Sequence, residues 1–184
     1  MKVMVLLLVL GLMTGCRSSD QRDDCGLKLR ESLIASNSCT FHSVITADYG
    51  SKVYTFQLDN TWDNNELHFT VTDPKTICGI SGTMSEDQAE LTFDDIVLAF
   101  PPLSEGMLSP ISAPWIFIKG LYSGYIAGFS DSSSGVYMYI DDTYEETPLK
   151  LEIRLNQDGI PVQVEYIWQN RRILTADIQD FTIM

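Results

Sequence analysis

Apolar and polar residues alternate along several segments of this chain, and the alternation predicts strands. Leu67, Phe69 and Val71 are separated by polar residues, and the same period returns over 149–155 and 162–168. A two-residue period rich in aromatic and β-branched residues is typical of strands with one buried face. About ten strands are predicted in this way: one from Cys39, then about 54–58, 67–72, 76–84, 89–100, 124–129, 136–144, 149–155, 162–168 and 172–183.

Two segments follow a helical period instead. The first begins near Asp24, which would cap it, and runs to about Ala35. The second begins near Ser112, with Pro114 in its first turn, where a missing N–H costs nothing. Its main part, Trp115–Tyr122, is apolar almost all round, so it needs burial on more than one side.

This order of elements predicts an α+β domain that is mainly β. About ten antiparallel strands in one sheet must curl, because open twisted sheets rarely exceed that size while staying flat. A curled sheet has a concave apolar face that something must fill, and the Trp115–Tyr122 helix is the candidate. We therefore expect a half-open barrel with one N-terminal helix and one inserted apolar helix.

The first 15 residues have the pattern of a bacterial signal peptide: Lys2, then an apolar run, then a small pair before Cys16. The run is too short for a membrane-spanning helix, which needs about 20 apolar residues. Met13-Thr14-Gly15-Cys16 resembles the lipobox, with Met13 in place of the usual Leu. The resemblance implies a diacylglyceryl group on the Cys16 sulfur and a mature protein anchored by lipid at the outer face of a bacterial membrane. An ordinary secretory leader followed by an unrelated cysteine is the alternative.

Processing before Cys16 leaves 169 residues, the size of one common domain. We expect a lipidated cysteine and short tether at 16–23 and a single domain over 24–184. The mature net charge is about −14, which repels nucleic acid and anionic lipid headgroups. Nucleic-acid binding and electrostatic membrane binding are therefore excluded, and the lipid on Cys16 is the expected contact with the membrane.

Three cysteines remain after processing, and an odd number leaves at least one thiol unpaired within the chain. We predict Cys78 to be reduced and buried, because it lies in an apolar strand between Ile77 and Gly79. Any disulfide would join Cys25 to Cys39. Cys39 and Cys78 would lie three strands, about 14 Å, apart, which is beyond disulfide reach.

No motif in the sequence indicates catalysis, a metal or a cofactor. His42 and His68 lie in predicted strands and are interpreted as facing solvent, since no GxSxG turn supplies a nucleophile. Adjacent carboxylates such as Asp141-Asp142 point to opposite faces of a strand, and the polar hairpin at 59–66 lacks the glycine and distant glutamate of a calcium loop. We expect a non-enzymatic protein.

The C-terminal third carries four short motifs in a set order: Leu151-Glu152-Ile153-Arg154-Leu155, Asp158-Gly159-Ile160-Pro161, Glu165-Tyr166 and Ile178-Gln179-Asp180-Phe181. With the element order, they resemble the LolA-like superfamily of lipoprotein carriers over about Asp24–Met184. The resemblance implies a half-open antiparallel barrel, helices in its mouth and a concave cavity for acyl chains. A lipid anchor fits the membrane-attached relatives better than the soluble carrier.

Two classes of function remain open. One is an envelope lipoprotein that binds a lipid or other apolar ligand in the concave face, beneath an inserted helix that Gly120 and Gly124 would allow to lift. The other is a structural or protein-interaction lipoprotein with a filled core and no small ligand. A cavity of several hundred Å³ would favour the first, and a packed interior with an exposed apolar patch the second. The candidate ligand-site residues are Trp115, Ile116, Phe117, Ile118, Leu121 and Tyr122.

Overall fold

One antiparallel sheet and two helices make up the described part of the protein. The computed structural model describes residues 20–94, 96–100, 108–142 and 149–184. The leader, Cys16 and the first part of the tether lie outside these residues, so what we expect of them stays a prediction. In chain order the elements are α1 (Asp20–Ser36), β1 (Ser38–Asp48), β2 (Val53–Asp63), β3 (Glu66–Asp73), β4 (Ser81–Met84), β5 (Ala89–Phe93), β6 (Ile96–Phe100), α2 (Ala113–Ser123), β7 (Tyr125–Ser132), β8 (Gly135–Asp141), β9 (Lys150–Leu155), β10 (Pro161–Trp168) and β11 (Arg171–Ile183).

The strands form a single open sheet in the order β6-β5-β4-β3-β2-β1-β11-β10-β9-β8-β7. β1 pairs antiparallel with β11, so the first and last strands lie side by side in the middle of the sheet. Each half is a meander that runs from this central pair to one edge, and β6 and β7 are the two edges. The predicted mainly β, half-open antiparallel architecture is confirmed.

The two faces of the sheet differ in what covers them. Alternate residues of β1 are buried, and the ring of Phe41 lies edge-on to that of Phe117 of α2, with centroids 5.6 Å apart. The residues between them, such as Thr40 and His42, point to the opposite face because successive strand side chains alternate. The core therefore lies between the helices and one sheet face, which we call the inner face.

The predicted strand over 89–100 is in fact two strands, so the described residues contain eleven strands rather than ten. β5 and β6 form a hairpin whose turn includes Asp94, with φ of 47°. Aspartate tolerates this left-handed conformation better than most residues and favours turns. The apolar run on both sides of Asp94-Asp95 concealed the turn.

Several other element boundaries also differ from the predictions, among them the end of β2, which runs to Asp63. α1 begins at Asp20, four residues before the predicted start. β7 continues to Ser132 and β8 begins at Gly135, which makes their turn shorter than predicted.

Neither described helix combines the length and the apolar character that a membrane crossing requires.

The prediction that Cys78 is buried in a strand is wrong. β4 begins only at Ser81, and residues 74–79 form turns in which Gly79 has a φ of 91°. Cys78 is exposed in this segment. The buried thiol is Cys39, and all three described cysteines, Cys25 included, are free. The apolar pair Ile77-Cys78 suggested a strand where a glycine-containing turn forms.

A bulge in β11 completes the inner face. The pairing of β1 with β11 shifts register next to Phe41, and Asp180 has a φ of 52° there. One extra residue in a strand reverses which side chains face inward. Phe181 therefore packs inward, 6.0 Å from the ring of Phe41 and 6.3 Å from that of Phe117.

Candidate functional site

The six residues predicted to form an apolar ligand site all lie on α2, but their burial divides them. Phe117, Ile118 and Leu121 are fully buried against the sheet. Trp115, Ile116 and Tyr122 are only partly buried and pack at the margin of the core. One side of α2 therefore packs against the inner face of the sheet, and the other side lies half-buried at the margin of the core.

Two aromatic groups hold α2 against β1, β2 and β11. The first is the Phe41, Phe117 and Phe181 group at the middle of the helix. In the second, Trp62 of β2 lies 5.4 Å from the ring of Trp115 and 6.0 Å from that of Tyr122. Aromatic pairs at such distances stabilise by about 0.5–1.5 kcal/mol each beyond their burial.

Both ends of α2 are tied to other elements. Arg30 of α1 donates hydrogen bonds to three carbonyls at the C-terminal end: Nε to Leu121 O at 2.6 Å, and Nη2 to Gly120 O at 3.0 Å and Gly124 O at 2.8 Å. A cation there also suits the negative end of the helix dipole. At the other end, the hydroxyl of Tyr166 donates to Ala113 O at 2.7 Å, and burial raises the pKa of this tyrosine far above its usual value.

The two glycines of α2 provide close packing. A Cβ on Gly120 would lie 2.5 Å from Leu151 Cδ1, and one on Gly124 would lie 2.5 Å from Ile140 Cγ2. Such distances leave no room for a side chain, so glycine lets the helix end approach β8 and β9. The expectation that Gly120 and Gly124 allow a change of helix angle gains no support from this geometry.

Two buried polar atoms on the inner face have no partner among the described residues. They are Oδ1 of Asn60 and Nε1 of Trp62, both on β2. The amide nitrogen of Asn60 does donate hydrogen bonds, to Ser43 Oγ and Leu58 O at 3.0 Å each. An unpaired buried polar group costs about 1–3 kcal/mol. These two atoms on β2 are therefore a polar position in a mainly apolar interior.

The opposite, helix-free face carries a polar groove of about 550 Å³ across β1–β5. Strand register sets its polar side chains in two rows, each with one residue from each of the five strands. The first row is His42, Asp59, Thr70, Ser81 and Thr92; the second is Thr40, Thr61, His68, Thr83 and Glu90. Four strand spacings make each row about 19 Å long.

The groove offers hydroxyls, imidazoles and carboxylates. Nδ1 of His42 lies 2.7 Å from Oδ1 of Asp59, and Asp180 of the β11 bulge adds a third carboxylate beside those of Asp59 and Glu90. Of the described residues that line the groove, none is lysine or arginine. The interpretation of both histidines as solvent-facing strand residues is confirmed for His68, which is exposed, while His42 is partly covered.

Within the described ranges this groove lacks the geometry of a catalytic triad or a metal centre. No hydroxyl or thiol there hydrogen-bonds to the second ring nitrogen of His42, and no group of three or more His, Cys, Asp or Glu side chains is placed to hold a metal ion. Cys39 is also unsuited to nucleophilic chemistry, because burial raises its pKa to about 12.

The β6 edge carries consecutive exposed apolar side chains. Ile96, Val97 and Leu98 have exposed fractions of 62%, 58% and 54%, and Phe93 of β5 has 46%. β6 pairs with β5 on one side and with no described strand on the other. Consecutive apolar residues make both faces of this strand apolar, which the sequence pattern at 96–98 already indicated.

Together, the open antiparallel sheet and the helices on its inner face form the predicted half-barrel. A LolA superfamily protein from Nitrosomonas europaea matches over 86% of this chain and 93% of its own, at 10% identity and a TM-score of 0.48. No protein-family model matches the chain, and neither does any curated protein. The likeness is one of fold.

Two solved structures from other bacteria extend the same likeness. The lipoprotein LppX of Mycobacterium tuberculosis matches over 88% of this chain and 99% of its own, at 12% identity and a TM-score of 0.38. A chain in a structure of the Clostridioides difficile CwlD amidase in complex with the GerS lipoprotein is also similar. The match covers 94% of this chain and 100% of the other, at 13% identity and a TM-score of 0.44.

Proposed function

We propose that the mature chain is a lipid-anchored protein of the bacterial envelope that binds a protein partner through its β6 edge, without catalysis. The anchor rests on the lipobox-like residues before Cys16. The exposed apolar side chains of Ile96, Val97 and Leu98 on β6 are the observation that carries the binding role. The inner face also favours partner binding over a small ligand, because α2 fills that face and hydrogen bonds from Arg30 and Tyr166 hold its two ends.

An unpaired apolar edge suits a partner that adds a strand. Edge strands present a row of N–H and C=O groups to any extended chain, and proteins usually protect them with lysine, proline or a bulge. β6 has none of these protections over Ile96–Phe100. In strand addition, backbone hydrogen bonds supply affinity and apolar contacts on the two faces supply specificity.

The charge around this edge indicates which partner fits. Between Ser85 and Leu98 the chain has five acidic residues and no basic one. Lys119 neutralises one of them, since its Nζ lies 3.1 Å from Glu86 Oε1. The remaining negative charge favours a partner whose apolar segment is flanked by lysine or arginine. It disfavours a second copy of this acidic chain. The acidic residues are Glu86, Asp87, Glu90, Asp94 and Asp95.

Site-specific photocrosslinking in intact cells tests this proposal. A benzophenone side chain at position 98 should crosslink one envelope protein, and the same group at Val53, which is 61% exposed at the far end of β2, should not. With the purified partner, Val97→Lys should weaken binding about tenfold or more, because a lysine on β6 opposes strand addition. Val53→Lys should leave the affinity unchanged.

Three results would contradict the β6 interface. They are equal crosslinking from positions 98 and 53, partner affinity that Val97→Lys does not change, and a crosslinked homodimer as the product. The homodimer would assign the edge to a second copy of the chain.

A second candidate function is the binding of a lipid or other apolar ligand on the inner face. The observation that favours it is the pair of unpartnered buried atoms, Asn60 Oδ1 and Trp62 Nε1. The ring of Trp62 lies beside the half-buried rings of Trp115 and Tyr122. A headgroup at this point would satisfy both atoms while its chain lay along α2.

Native mass spectrometry of the gently purified protein distinguishes the two functions. A ligand site predicts co-purified lipid, and Trp115→Ala should reduce its occupancy. A filled core predicts no bound lipid and a loss of about 3–5 kcal/mol of unfolding free energy for Phe117→Ala. No bound mass, together with no binding of a fluorescent fatty acid, would remove the apolar-ligand function.

A further inference from the structure

Apart from the charge of Glu90, the polar groove of the helix-free face takes no part in the proposed partner interface. It lies on the other face of the sheet from α2, and its two rows of side chains cross β1–β5. The groove is open to solvent, has a volume of about 550 Å³ and is lined mostly by polar side chains. Six of the ten row residues are threonine or serine.

We infer that this groove binds a neutral glycan chain lying across the strands. Each threonine or serine hydroxyl both donates and accepts a hydrogen bond, as each sugar hydroxyl does. Asp59 and Glu90 add acceptors, and the imidazole of His68 adds a group that can take either role. The rows, about 19 Å long, are long enough to contact several sugar units in succession.

Charge excludes an anionic polymer at this site. No lysine or arginine is among the described residues that line the groove, and the whole chain carries a net charge of −13. Phosphate-rich or sulfated ligands need arginine or lysine partners, and they would here approach three carboxylates instead.

The arrangement of the carboxylates also favours a neutral chain over a cationic one. They lie on three different strands: Asp59 on β2, Glu90 on β5 and Asp180 on β11. The carboxylate of Asp59 already contacts the imidazole of His42, and that of Glu90 accepts a hydrogen bond from the Gln88 side chain. Hydroxyls, not carboxylates, occupy most of the space between them.

The glycan to which this geometry points is the cell-wall chain that surrounds an envelope-anchored protein. This choice of source rests on the proposed lipid anchor. The side chains of Phe41 and Phe69 belong to the inner face, so the groove lacks an aromatic platform on their strands. Hydrogen bonds then carry recognition, and we expect weak binding that gains strength from the anchoring of both partners at one surface.

Ligand-observed NMR on the full processed protein, in a detergent without a sugar headgroup, tests the inference. The probes are chitotetraose, which has the amino-sugar backbone of a wall glycan, and cellotetraose as a neutral glycan from another source. Hexalysine and a heparin tetrasaccharide are the charged comparisons. We expect chitotetraose to bind most tightly of the four.

Three variants connect this binding to the groove. Thr61→Tyr places a bulky side chain at the second of the five positions in the second row and should abolish binding by blocking the row. Thr55→Tyr, an exposed position on the same face of β2 outside the groove, should leave binding unchanged. The triple variant Thr61→Val, Thr70→Val, Thr83→Val keeps the side-chain shape and should weaken binding about tenfold or more, because three hydroxyls are lost.

Three outcomes would overturn the inference: no binding of chitotetraose, tighter binding of any other probe, or chitotetraose binding that survives in the triple valine variant. If Thr61→Tyr does not fold, the triple valine variant still tests whether the groove binds the glycan, because valine preserves both side-chain shape and strand propensity. Failure here leaves the β6 interface intact, because Val97→Lys tests that interface independently.

Discussion

Burial of the Cys39 thiol should leave a signature in the pH dependence of stability. Its pKa is raised from an ordinary value near 9 to about 12 in the folded chain, because burial disfavours the thiolate. Above about pH 9 the unfolded chain loses this proton while the folded chain keeps it. The free energy of unfolding should therefore fall as pH rises from 9 toward 12, by up to about 1.4 kcal/mol per pH unit.

Urea unfolding at several pH values measures this slope. Cys39→Ala should reduce the slope between pH 9 and 10, below the range in which the buried Tyr166 adds a slope of the same sign, although the cavity lowers stability at every pH. The control is Cys78→Ala, because Cys78 is exposed in a turn and its removal should leave the slope as it is. Equal slopes in the Cys39 variant and the unchanged protein would contradict the prediction.

At the scale of elements, the Arg30 side chain is the main polar link between the two helices. Its three hydrogen bonds go to carbonyls at the end of α2, where Gly120 O also accepts from the Gly124 N–H at 2.9 Å. Arg30→Met should lower the free energy of unfolding by about 2 kcal/mol, since hydrogen bonds from a charged donor are the stronger ones.

A matched arginine provides the control for this measurement. Arg172 donates to Glu165 at 2.9 Å on an exposed part of β10 and β11, and such pairs contribute under about 1 kcal/mol. Arg172→Met should therefore have the smaller effect on urea unfolding. If the two variants lost equal stability, Arg30 would not be the clamp that its geometry indicates.

The elements also show what the residue pattern can and cannot predict. The alternation over β3, β9 and β10 predicted those strands because one face is buried and the other solvated. The pattern failed over 89–100, where both faces of β6 are apolar and nothing marked the turn except Asp94-Asp95. It also failed around Cys78, where a glycine with positive φ makes a turn.

The groove could not be predicted from the sequence, because it depends on the register in which the strands pair. Each polar residue of β1–β5 was visible as the outward half of an alternation. Only strand pairing shows that His42 lies beside Asp59 and Thr61 beside His68. The α2 residues, in contrast, were predicted individually, because a helix apolar on nearly all sides must be buried wherever it docks.

At the scale of the whole molecule, the predicted anchor determines where both surfaces act. Cys16→Ser should remove the site of lipid attachment, so the protein should leave the membrane fraction or remain as unprocessed precursor. Membrane fractionation with metabolic labelling by a fatty acid measures this outcome. Normal processing, labelling and membrane retention of the variant would contradict the lipid anchor, and Cys25→Ser is the control that should retain all three.

The central pairing of β1 with β11 has a consequence for synthesis and export. Ile45 lies opposite Ala176, so the pair at the middle of the sheet joins residues 131 positions apart. A nascent chain cannot form this pair until almost all of the described sequence has emerged, and pairings of such high contact order form slowly. For a chain with the predicted secretory leader, this delay would keep the two halves of the sheet from joining before the chain has been threaded through a translocation channel.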